Sequence, residues 1–174
     1  MTPKVIAFDA YGTLFDVGSA ARNLAETSKD QKLKDCWQKL AEIWRLKQLQ
    51  YSWLRTITND YTDFWQVTQD GLDFALEAVG IEDAEIRQAL LDLYWALDAY
   101  PEVPTMLATL KEMNIITTIL SNGSKSMLDG AVQSAGISEL LDWVISVEDV
   151  SIFKPDRRVY QMVLDQYQLS LIHI

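Results

Sequence analysis

Three short apolar runs rich in β-branched residues punctuate the chain, and a long stretch of helical periodicity separates the first from the other two. The first run, Val5–Phe8, is short and followed by Gly12, which predicts a strand buried on both faces. From residue 17 to about 97 the spacing changes. Leu33, Trp37, Leu40, Ile43, Trp44, Lys47 and Tyr51 recur three or four apart, as do Tyr61, Phe64, Trp65 and Phe74, then Ile86, Leu90, Leu93 and Leu97. This pattern predicts a block of roughly four helices. Apolar runs return at 115–120, closed by Ser121, Asn122 and Gly123, and at 143–147. Helical segments are expected at about 103–113, 125–135 and 155–167.

Strands alternating with helices predict an α/β fold with a parallel, doubly wound sheet, and the helical block becomes an insertion after the first strand. The expected division is a core made of 1–16 and 98–174 and a helical cap over 17–97. Ligands of open parallel sheets bind at the carboxyl ends of strands. Asp9, Ser121 and the segment before Lys154 all fall at or just past such ends.

Charge narrows the partners. A formal net charge of -10 over 174 residues argues against nucleic acid and against an anionic membrane, both of which require clustered Lys and Arg. An anionic substrate would be repelled at long range, so it needs cations placed inside a cleft, which directs attention to Arg45 and Lys154. The single cysteine, Cys36, excludes an intramolecular disulfide and fits a reducing cytoplasm. The first residues lack the features of a signal peptide, and no window approaches the ~20 apolar residues of a membrane span, so a soluble cytoplasmic protein is expected.

The candidate chemistry lies in three segments: Asp9-Ala10-Tyr11-Gly12-Thr13, Ser121-Asn122-Gly123 and Lys154-Pro155-Asp156. Taken singly, each also fits ordinary turn or helix-entry chemistry. In this order and at strand ends, they resemble the haloacid dehalogenase superfamily. Its first three motifs are a nucleophilic Asp with Thr four residues on, a strand-terminal Ser or Thr, and a Lys commonly followed by Pro. The resemblance implies a HAD-like core with an inserted cap. Tyr11 stands where phosphatases and mutases of the superfamily usually carry an acid–base Asp. Halide departs as a stable anion and needs no such proton donor, whereas Tyr can give an apolar wall.

A second segment, around Arg45, Leu49 and Trp53, looks like the cap helix of the L-2-haloacid dehalogenases. That resemblance implies hydrolysis of a 2-haloalkanoic acid with inversion at C2. Asp9 would attack, Thr13 would orient it, and Lys154 would counter its charge. Arg45 and Asn122 would receive the halide, a surface ion pair being the other reading of Arg45. Ser121 and the N–H groups near Ala10 and Tyr11 would hold the substrate carboxylate. Leu49, Phe64 and Tyr160 would line the pocket. Trp53, Leu49 and Phe64 also fit a helix-bundle core, which is the favoured reading for Trp53, and Tyr160 fits an exposed surface position. No cofactor or metal enters this scheme, and a homodimer is expected by resemblance alone.

The family pattern continues after the Lys154 helix into another strand and a fourth motif containing a water-activating Asp. The residues 169–174 do not match it, so truncation is expected, with an exposed edge on Val5–Phe8 and a poorly soluble or inactive product. The only histidine, His173, lies in this tail and is given no catalytic role. Competing expectations are a phosphatase or phosphotransferase, a hydrolase opening another electrophile alpha to a carboxylate, and a non-catalytic binding protein.

Overall fold

The computed structural model describes residues 3–168. Its sheet has three parallel strands in the order β1-β2-β3, namely β1 (Val5–Phe8), β2 (Ile116–Ser121) and β3 (Trp143–Ser146). Val5 pairs with Ile116 and Thr118 with Trp143, so the carboxyl ends of all three strands open on one side. Between β1 and β2 run α1 (Ser19–Thr27), α2 (Gln31–Thr58), α3 (Phe64–Val79), α4 (Ala84–Tyr94) and α5 (Val103–Glu112). Then come α6 (Lys125–Ser134) and, after β3, α7 (Arg157–Tyr167). The first four form the inserted helical block, while α5, α6 and α7 pack on the sheet.

Local signals explain the boundaries. Asp30, Asp63, Asp83, Ser124 and Asp156 each accept a hydrogen bond from a first-turn N–H of α2, α3, α4, α6 and α7 respectively, satisfying donors the helix itself leaves open. Asn59 ends α2 and Gly80 ends α3 in the left-handed conformation that closes a helix.

The burial of β1 differs from the two-face burial expected of its apolar run, while its place at an edge agrees with the exposed edge expected for Val5–Phe8. It is the edge strand among the described residues, and Val5, Ile6 and Phe8 are only half-buried while Ala7 is exposed. An edge strand has a neighbour on one side only, so an apolar run did not imply burial on both faces. β2, the central strand, is buried from Thr117 to Ser121.

The face that α2 buries is Leu33, Leu40, Trp44, Gln48 and Ser52. Two of these are polar and all lie four apart from Leu40 onward. Trp44 Nε1 donates to Thr68 O at 2.8 Å, and the Gln48 amide donates to Thr68 Oγ1 and to Tyr94 OH, both at 3.0 Å. These bonds pin α2 to α3 and α4 from within an otherwise apolar interior.

Candidate active site

Asp9 follows β1 directly, and the chain then folds into a tight turn in which Ala10 O accepts the N–H groups of Thr13, Leu14 and Phe15 at 3.2, 2.8 and 3.0 Å. Gly12 takes φ +86°, a conformation that disfavours any side chain, and a Cβ there would approach Arg45 Nη2 to 3.4 Å. The N–H groups of Ala10 and Tyr11 find no acceptor among the described residues. They remain available above the strand end.

Lys154 reaches Asp9 from the other side of the sheet end. Its Nζ lies 2.8 Å from Asp9 Oδ1 and also donates to Leu120 O, while its own backbone N–H donates to Asn122 Oδ1 at 2.9 Å. The Lys154 side chain is 19% exposed and that of Asp9 39%, so the pair is partly screened by solvent. Because Oδ1 of Asn122 is occupied, its NH₂ end is the free one. Ser121 Oγ accepts from Gly123 N at 3.1 Å and keeps its own proton to donate.

These groups face a cavity of about 220 Å3. Asp9, Ser121, Asn122, Lys154 and Pro155 line it from the sheet end, and Arg45, Leu49, Trp53 and Phe64 from the helical block. Tyr11 and Tyr160 complete the wall. Asp9 is the one carboxylate among these lining residues. Arg45 Nη2 donates to Tyr11 O at 2.6 Å, and among the described residues its guanidinium has no acidic partner. It is a free cation at the cavity wall, and the surface-ion-pair reading of Arg45 is set aside.

The Tyr11 ring is 2% exposed and stacks on Tyr94, with centroids 5.6 Å apart and planes at 12°. Phe15 and Phe64 flank it at 6.0 Å. Burial pushes the Tyr11 phenol well above its usual pKa, with smaller contributions from Tyr94 and Asp9. Burial likewise pushes Tyr94 up to about 12, opposed by the nearby Arg45 charge. Tyr11 is therefore a neutral apolar wall that keeps its phenolic proton at ordinary pH.

The structure brings together Asp9, Tyr11, Arg45, Leu49, Phe64, Ser121, Asn122, Lys154 and Tyr160, with Ala10 fully buried in the turn beneath them. No hydrogen bond joins Thr13 to Asp9 among the described residues. The turn sends the Thr13 side chain to the surface, where it makes no hydrogen bond among the described residues. Trp53 is 46% exposed and lines the cavity, so it is a wall residue and not bundle core. Phe64 is both, buried at 3% and lining the wall. Tyr160 sits at the rim, 44% exposed. Gln48, Thr68 and Tyr94 escaped the sequence reading, and Gly123 and Pro155 enter it only as members of their motifs, without a place at the cavity. The four-residue spacing of Leu40, Trp44, Gln48 and Ser52 was the available signal for Gln48. His173 lies outside the described residues.

The site is thus a lone carboxylate at a parallel-strand end, paired with lysine and facing a block of helices across a small cavity. Residues 3–173 match the family described as haloacid dehalogenase-like hydrolase, and the chain belongs to that family. It is 44% identical over 164 residues to (S)-2-haloacid dehalogenase 1 of Pseudomonas sp. (strain CBS-3), covering 94% of this chain and 70% of the relative. It is 40% identical over 165 residues to (S)-2-haloacid dehalogenase 4A of Burkholderia cepacia, covering 94% and 69%. Among solved structures it is similar to the L-2-haloacid dehalogenase of Xanthobacter autotrophicus with chloropropionic acid covalently bound. There the TM-score is 0.83 at 35% identity, covering 97% of this chain and 66% of that one.

Proposed function

We propose that this protein is an (S)-2-haloacid dehalogenase that hydrolyses 2-haloalkanoic acids through an ester on Asp9. With Oδ1 held by Lys154, Oδ2 is the oxygen free to attack C2. The C–O bond forms as the carbon–halogen bond breaks on the opposite side, inverting C2. The halide leaves toward Arg45, whose weakly hydrated guanidinium suits a soft anion, and toward the free NH₂ of Asn122. The Ser121 hydroxyl and the open N–H groups of Ala10 and Tyr11 hold the substrate carboxylate. Leu49, Phe64 and Tyr11 keep the attacking oxygen poorly solvated, and Tyr160 closes the rim. Water then adds to the carbonyl carbon of the ester, restoring Asp9 and releasing the D-2-hydroxy acid.

The observation that carries this reading is the opposition of a lysine-paired carboxylate and an unpaired arginine across one small, largely apolar-walled cavity. Phosphoryl transfer would need a proton-exchanging carboxyl near position 11, where a buried tyrosine stands. The scheme requires no metal, since the leaving group is already a stable anion.

We assign residues 1–16 and 98–174 to the core and 17–97 to the cap. A cytoplasmic setting is supported by the single cysteine, and no helix among the described residues is long and apolar enough to cross a membrane. Leu46, Leu54 and Ile57, exposed along α2, support a homodimer.

Intact-protein mass spectrometry after mixing with L-2-chloropropionate tests the reaction, with the D-isomer as control and peptide mapping to locate the adduct. An ester on Asp9 with the L-isomer alone is expected. A folded sample without any adduct overturns the assignment.

A further inference from the structure

Behind the cavity wall, contacts form a closed ring through both halves of the site. From it we infer that Gln48 and Tyr94 are positioning residues, which aim Arg45 and seat Tyr11 without touching substrate. The inference rests on the roles proposed above for Asp9 and Arg45.

Tyr11 has no polar tether, because its buried hydroxyl makes no hydrogen bond among the described residues. Packing alone holds its ring. On one side Gly123 leaves room for it, since a Cβ at 123 would come within 2.6 Å of Tyr11 Cε2. On another side lies the stacked ring of Tyr94, itself fully buried and fixed by its hydroxyl to the Gln48 amide at 3.0 Å. Gln48 is 1% exposed and also donates to Thr68 Oγ1.

Three residues before Gln48 on the same helix stands Arg45, which returns to the carbonyl of Tyr11 at 2.6 Å. The ring thus runs from the Tyr11 side chain through Tyr94, Gln48, one turn of α2 and Arg45 back to the Tyr11 backbone. Arg45 has no acidic partner among the described residues, so this circuit fixes where its charge points. Stability does not account for the polar trio of Gln48, Thr68 and Tyr94. Apolar groups of matching shape would serve about as well, whereas removing one partner strands the others. A gain in geometry does account for it.

The test uses the full chain and compares single-turnover ester formation from (S)-2-chloropropionate and (S)-2-bromopropionate. Chloride leaves less readily and depends more on a well-aimed Arg45. In Gln48→Met, and in the triple variant Gln48→Met/Thr68→Val/Tyr94→Phe, the bromo-to-chloro rate ratio is expected to rise roughly tenfold, since small misplacements near reacting groups cost that much or more. The triple variant should keep a near-wild-type Tm, because no buried polar group in it is left without a partner from the trio. Tyr94→Phe, which retains the stacked ring, is expected to lie between. A purely structural role scales both rates by the folded fraction and leaves the ratio unchanged. An unchanged ratio in the folded triple variant overturns the inference while leaving the site assignment standing. No ester on the wild-type chain from either substrate overturns the assignment, and the inference with it.

Discussion

The sheet-end half of the cavity and the helical half hold their polar groups by opposite means. At the sheet end, Asp9, Asn122 and Lys154 are cross-linked: Lys154 binds Asp9 and Leu120 O through its ammonium and Asn122 through its backbone. In the helical half, Arg45 donates to one carbonyl and lines the cavity together with Leu49, Trp53 and Phe64. Partnered charges are fixed in place and prepared for attack. An unpartnered cation in apolar surroundings is open to an incoming anion, but depends on packing to stay aimed. On the proposed reading, attack comes from the sheet end, and the departing halide is met by Arg45 from the helices and Asn122 from the sheet end.

Substitutions can break this division. The largest effect is expected from Asp9→Asn, which removes the proposed nucleophile and should lower the rate of halide release by roughly 10⁴-fold or more. An ion-selective electrode and the absence of an ester in the mass spectrum check it. Next comes Arg45→Lys, which keeps the charge but loses the planar donor fork. Roughly 10²-fold is expected, comparable with losing a well-placed donor at a developing anion, and more for chloride than for bromide. Steady-state kinetics on both halides read this directly, and equal losses would blur the comparison.

Gly123→Ala probes the seam between the halves. Relieving a 2.6 Å approach to the Tyr11 ring should cost about 1–3 kcal/mol of stability, seen as a lowered urea midpoint. Tyr11→Phe should raise Tm by a few degrees, because it deletes a buried hydroxyl without a partner, an effect of about 1 kcal/mol. The last effect concerns pH. Tyr94 ionises near its ordinary value of about 10 when unfolded but only at about 12 when folded. Its contribution to stability is therefore complete below pH 10 and is lost as pH rises through 12, because the unfolded chain sheds the proton first. Melting scans between pH 9 and 12, paired with tyrosinate absorbance, should show that loss.

Much of this was legible in the chain itself, for stated physical reasons. The β-branched runs ending at Phe8 and Ser121 marked strand ends, and Asp9, Ser121 and Lys154 fell where parallel sheets place ligands. Roughly four helices were expected over residues 17–97 and one more before the second strand, and α1 to α4 and α5 stand there. Apolar periodicity misled where burial is lateral. Trp53 keeps the spacing of a core residue yet stands half-exposed at the cavity mouth, while Gln48 breaks the apolar pattern and is buried. Burial of a polar group depends on partners from other helices, here Thr68 and Tyr94, which no local window contains. Thr13 is exposed, which its spacing four residues after Asp9 does not signal.

The 28-residue length of α2 has a consequence for how the chain can change length. Arg45, Gln48, Leu49, Trp53 and Thr56 act from one uninterrupted helix, with Thr56 bonded to Phe153 O beside Lys154. Inserting a single residue after Lys47 would turn everything beyond it by about 100° and carry it about 1.5 Å along the axis. Arg45 would then keep its place while the apolar wall and the Gln48 amide rotated away. Insertions in the turns at 59–63 or 80–83 leave that phase intact, so variation in length is confined to the helix ends.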